Sequence, residues 1–145
     1  MDRGLAVFLM AVVGGAIALQ APINAGLGKS TGSFAAALVS FGVGTLLLAS
    51  IVVLSGRAGG ISEAANVEWY YLLGGVLGAA YVFSALVLVD EIGAGGVAAA
   101  TVTGQLTTSV VLDRLGVLGL EQTPLSVERV IGVVLLLAGT YLVVR

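Results

Sequence analysis

The chain has 145 residues, 59% hydrophobic and 10% charged, with a mean hydropathy of +1.14; soluble domains carry roughly 25% charge, so this is the composition of an integral membrane protein. A net charge of -2 without a basic cluster leaves neither a nucleic-acid footprint nor a strong lipid-headgroup patch, and the absence of Cys and His removes disulfides, thiol chemistry and the usual zinc and haem ligands. No nucleophile and base pair, phosphate loop or metal-ligand cluster is recognisable, so neither an enzyme nor a cofactor nor a metal is expected.

Charges divide the chain into uncharged runs at residues 4–28, 30–56, 69–89, 92–112 and 130–144. A helix rises ~1.5 Å per residue and needs about 20 residues to cross a ~30 Å hydrocarbon core, so the first four runs cross as they stand. The last crosses if its helix begins at Leu125, with Pro124 at the entrance and Arg129 snorkelling to the interface. The expected fold is therefore an all-α, integral membrane domain over residues 1–145, with transmembrane helices at about 4–28, 32–56, 69–89, 94–114 and 125–144. Short connections are expected at 29–33, 57–68, 90–95 and 113–123, leaving no room for a soluble domain. The first run resembles a signal peptide in Asp2, Arg3 and Ala16-Ile17-Ala18, but its length and the spans that follow favour a retained helix.

Five crossings put the termini on opposite sides. Arg3, Arg57, Arg114 and Arg129 then face one side against Lys29 and Arg145 on the other, a slim margin for a cytoplasmic amino terminus.

On the first helix Gln20 and Asn24 lie four residues apart on one face, with Pro22 between them. Proline removes its own amide donor and obstructs the bond to the Ala18 carbonyl. Such a break is tolerated inside a membrane where protein or a water-filled cavity satisfies the freed groups. The plainer alternative is a helix end fraying towards Lys29.

Trp69, Tyr70 and Tyr71 open the third helix as an interfacial anchor, followed by Gly74 and Gly78, a small-residue spacing that favours close helix packing. The same spacing recurs as Gly96, Ala100 and Gly104 on the fourth helix. There Thr101, Gln105 and Thr108 share a face near the middle of the span, where an amide acts as interhelical glue or faces a polar cavity. No charge lies at the centre of any span. The candidates for ion or proton coupling are the helix-end carboxylates Asp90, Glu91 and Asp113, whose plainer reading is solvated charge.

Several of these residues fall in a recurring order. Gln20-Ala21-Pro22-Ile23-Asn24, Gly32-Ser33, Ser40-Phe41, Gly44-Thr45, Gly104-Gln105, Thr108-Ser109 and Asp113-Arg114-Leu115-Gly116 together resemble the YdcZ-type family of five-helix proteins in the drug/metabolite transporter superfamily. Phe34 stands where that family usually has proline. The resemblance implies a bacterial inner (cytoplasmic) membrane protein that is half of an inverted-repeat transporter, pairing antiparallel as a homodimer or with a five-helix paralogue. Its first helix lacks the embedded Glu of the small multidrug resistance relatives, so proton-coupled export of lipophilic cations is not implied.

The expected function is alternating-access transport of a small polar or neutral organic solute, lined by Gln20, Asn24, Thr101, Gln105 and Thr108, with Pro22 as the helix break. A passive dual-topology ion channel and a non-conducting membrane assembly protein are the alternatives.

Overall fold

The computed structural model describes residues 2–145. Among them are five α-helices and two 3-10 turns, and no strand. The helices are α1 (Arg3–Thr31), α2 (Ser33–Leu54), the short α3 (Gly59–Glu63), α4 (Leu73–Leu115) and α5 (Val127–Val144). Four of them are long and apolar enough to cross a membrane.

The longest is two helices in one. At ~1.5 Å per residue, the 43 residues of α4 would extend about 65 Å, twice the hydrocarbon thickness. At Gly93, however, φ is 72° and ψ 165°, a non-helical conformation that divides α4 into segments 73–92 and 94–115. Gly32, the single residue between α1 and α2, has nearly the same geometry, φ 83° and ψ 153°. That region is essentially open only to glycine, so one residue redirects the chain where a loop of several would otherwise be needed.

The expected connection at 90–95 therefore shrinks to Gly93: Asp90 and Glu91 lie within the helix, exposed in its last turn before the break. Residues 57–68 are likewise not plain loop but include α3 and a 3-10 turn at Ala64–Asn66. Trp69–Leu72 form a second 3-10 turn, tightened by the Tyr71 amide donating to the Glu68 carbonyl at 3.0 Å, so α4 begins at Leu73. α5 starts at Val127, because the Ser126 hydroxyl caps it by accepting from the Arg129 amide at 3.3 Å; Pro124 stands before the cap and outside the first turn.

Two compact units divide the chain, Leu19–Leu88 and Met1–Ala18 with Val89–Arg145. In the first unit, α1, α2 and segment 73–92 pack together. Phe34 of α2 stacks on Phe83 with ring centroids 4.5 Å apart, Phe41 covers Gly78, and Gly28 of α1 lies beside Leu86 and Ala36. The buried apolar side chains here are small for the most part: Ala21, Ala25, Ala36, Val82, Ala85 and Leu86. Alanine and glycine let helix backbones approach closely, which is how helices gain dispersion energy in lipid.

In the second unit, segment 94–115 and α5 run antiparallel. Gly95 meets Val143, Thr103 meets Thr140, and Asp113 meets Arg129, so positions rise on one helix as they fall on the other. The far end is closed by the Gly116 amide donating to Leu112 O at 2.9 Å, Thr123 N to Asp113 O at 2.8 Å and Gln122 Nε2 to Arg114 O at 3.1 Å. These satisfy carbonyls that a helix end leaves open.

Candidate functional site

Polar groups inside an apolar bundle are the informative ones, because each needs a partner or a polar cavity. In the first unit they gather on α1 and α2. Gln20, half-buried two residues before Pro22, lines a cavity of about 190 Å³ together with Ser40, Phe41, Gly44, Thr45 and Leu48 of α2. Phe41, Gly44, Thr45 and Leu48 follow the three- and four-residue spacing of one helix face. The cavity lining combines an amide, two hydroxyls and apolar walls, and includes no charged group.

Asn24 lies one turn beyond Gln20 and is only 5% exposed. Among the described residues no group hydrogen-bonds its side chain, yet none of its polar side-chain atoms is wholly enclosed and unpaired. The amide thus keeps open hydrogen-bonding capacity in an otherwise covered position. Pro22, exposed on the same turn, cannot donate to Ala18, yet α1 continues as one helix from Arg3 to Thr31, so the proline removes a bond without making the expected break. Ala18 is also where the chain passes between units, and the second passage, at Leu88, comes five residues before Gly93.

In the second unit the hydrogen bonding between helices is carried by threonines. The Thr103 and Thr140 hydroxyls lie 2.6 Å apart, with the Ala99 carbonyl 3.1 Å from Thr140 and the Leu136 carbonyl 3.4 Å from Thr103 as further acceptors. Thr103 is 6% exposed. Thr107 bonds back to the Thr103 carbonyl at 2.7 Å, the usual way a helical hydroxyl satisfies itself.

Gln105 is two residues past Thr103, about 200° around the helix, and so points away from α5. It is exposed in the chain, as is Thr108, while Thr101 is half-buried. Among the described residues none of the three has a hydrogen-bonded side chain. The polar set foreseen from the sequence accordingly divides between the units: Gln20 and Asn24 in one, Thr101, Gln105 and Thr108 in the other.

The small-residue positions also differ among themselves. A methyl group at Gly78 would lie 3.4 Å from the Phe41 ring and one at Gly96 would lie 3.3 Å from Val144, whereas Gly74 and Gly104 have open space and Ala100 is exposed. Of the carboxylates, Asp113 is paired with Arg129 at 3.0 Å, and Asp90 and Glu91 are exposed in the turn before Gly93.

Ser40, Gly44 and Thr45 were not among the site residues expected from the sequence. Their place in the recurring order, as Ser40-Phe41 and Gly44-Thr45, was the available signal, but a Ser or Thr in an apolar helix usually bonds to its own backbone and so does not by itself mark a site.

A sequence model of the family DMT_YdcZ, described as "Putative inner membrane exporter, YdcZ", matches residues 5–142. No curated protein and no solved structure matches the chain.

Proposed function

The chain belongs to the YdcZ family of inner membrane exporters, and on that premise we propose that it carries a small polar or neutral organic solute by alternating access, as one half of an antiparallel dimer in the bacterial inner membrane. Five crossings are assigned to α1, α2, segments 73–92 and 94–115, and α5. The matching geometry of Gly32 and Gly93 supports this count, since Gly32 already separates two helices of crossing length.

The observation that carries the reading is the neutral polar cavity under Gln20, one turn from the unpaired amide of Asn24 on a helix that runs unbroken through Pro22 but lacks the bond from residue 22 to Ala18. The Ala18 carbonyl left without its usual donor, together with the Gln20 and Asn24 amides, supplies dipoles that can replace the water of a solute, as in transporter sites near the midplane. An uncharged lining favours an uncharged solute, because a bare ion would lose hydration without a compensating charge. Gln105 supports the dimer. An amide in mid-span, turned from α5 and exposed to lipid in a single chain, is costly until another helix or a water-filled cavity covers it.

Flux into proteoliposomes, measured with a panel of radiolabelled uncharged amides and alcohols beside charged analogues, tests the reading. Slow, saturable, exchangeable flux of an uncharged member is the expected result, reduced at least tenfold in Asn24→Ala and Gln20→Ala. Rapid electrogenic flux would instead identify a channel, and no flux of any panel member would favour an assembly role. Saturable flux unchanged in both Asn24→Ala and Gln105→Ala would displace the site from these residues.

A further inference from the structure

A second and larger cavity lies on the surface of the other unit, about 500 Å³ between α5 and the stretch of α4 from Ile92 to Ala100. Its deeper part is formed by Ala100 and Leu137, its middle by Thr140, and its outer end by Ile92, Tyr141 and Arg145. From Leu137 to Arg145 the helix rises about 12 Å, most of the depth of one ~15 Å leaflet of hydrocarbon.

The polarity of this groove is graded. Thr140 contributes a hydroxyl by composition, but that hydroxyl is engaged with Ala99 O and Thr103 on the neighbouring helix, so nothing polar is left for an occupant at mid-depth. At the outer end stand Arg145 and Tyr141, both exposed. Among the described residues no ion pair engages the Arg145 side chain. A guanidinium with five donors suits a phosphate, and tyrosine is a residue of the headgroup level.

We propose that this groove holds one acyl chain of an anionic phospholipid, with the lipid phosphate on Arg145 and the chain lying along Leu137 and Ala100 towards the bilayer centre. The charge at one end and the uninterrupted apolar wall below it select this occupant over a solute, which would find no hydrogen-bonding group along the wall, and over a zwitterionic lipid, whose own ammonium opposes the guanidinium.

The test uses the full chain, released from lipid nanodiscs containing equal amounts of phosphatidylglycerol and phosphatidylcholine, with the lipids retained on the protein counted by native mass spectrometry. Phosphatidylglycerol should be retained about fivefold over phosphatidylcholine, the preference expected from one basic contact near the surface. Arg145→Gln should abolish the preference and Arg145→Lys should keep most of it. Ala100→Phe, which fills the deeper part of the groove, should lower retention of both lipids. Equal retention of the two lipids by the unaltered chain, or an undiminished preference in Arg145→Gln, overturns the proposal. So does a Leu137→Cys variant that forms a disulfide between two copies in the membrane in high yield, because a second copy then covers the groove. Should Ala100→Phe fail to fold, the surface pair Arg145→Gln and Arg145→Lys still decides.

Discussion

The Thr103 and Thr140 hydroxyls lie 2.6 Å apart between two antiparallel membrane helices, with the Ala99 carbonyl 3.1 Å from Thr140. Interhelical hydrogen bonds of this kind average about 0.6 kcal/mol in membrane proteins and reach about 1.7. Thr140→Val should therefore destabilise the chain by about 1 kcal/mol, since it removes both the bond to Thr103 and the bond to the Ala99 carbonyl and leaves Thr103 only the longer contact with the Leu136 carbonyl at 3.4 Å. The double variant Thr103→Val, Thr140→Val should cost less than the two single changes added together, because each single change already removes the bond the two hydroxyls share. Unfolding of the purified protein in mixed micelles, followed by circular dichroism, measures both; strict additivity would mean that the pair is not coupled.

Gly93 should be intolerant of any side chain, and for a conformational reason. A methyl group there would meet open space within 4 Å, so bulk is not the obstacle. With φ at 72° and ψ at 165°, however, an L-residue is strained by about 1–3 kcal/mol. Gly93→Ala should lower stability by that amount, or straighten α4 into one long helix that no longer fits the bilayer. Cysteine accessibility scanned along 73–115 distinguishes the two: protection by lipid in two separate stretches is expected of the native chain, and a displaced pattern of the straightened one.

Much of this architecture was already legible as spacing between charges, because hydrocarbon demands about 20 apolar residues per crossing and little else. The break at Gly93 was less so: Asp90 and Glu91 read as loop residues, and only the backbone reveals that the helix carries them up to a single glycine. The interhelical bonds were harder still. Sequence directed attention to Gln105 as the most polar side chain in the middle of its helix, but which face meets α5 depends on the register of two helices, and that register puts Thr103 inside and Gln105 outside. Gln20 was visible because Pro22 and Asn24 accompany it, whereas Ser40 and Thr45 stood only in the recurring order of the family and joined the cavity once α2 was placed against α1.

The Asp113 to Arg129 pair, at 3.0 Å and with both side chains about a third exposed, should contribute little. Exposed pairs are worth about 0–1 kcal/mol and weaken with salt. Asp113→Asn should accordingly shift stability by less than about 1 kcal/mol. It also tests the coupling role considered for this carboxylate: a flux whose pH dependence is the same in Asp113→Asn as in the unaltered chain removes Asp113 from any coupling mechanism, and the same measurement on Asp90→Asn and Glu91→Gln addresses the other two.

The sharpest separation of structure from transport is available at Gly44. It lines the cavity beneath Gln20, and a methyl group built on it meets nothing within 4 Å, so a larger side chain enters the cavity and not a packed neighbour. Within a helix, glycine is about 0.8–1 kcal/mol less favourable than alanine, with leucine close to alanine, so Gly44→Leu should leave stability unchanged or raise it. Leucine would at the same time occupy much of a space of about 190 Å³ and screen the Gln20 amide with hydrocarbon. The expected outcome is a protein that inserts and unfolds like the original yet moves solute at least tenfold more slowly. Gly74→Leu, which also meets open space but lies outside that cavity, serves as the matched control and should keep its flux. If Gly44→Leu transports normally while remaining folded, the solute does not pass through the space between Gln20, Ser40 and Thr45, and the path has to be sought instead along Gln105.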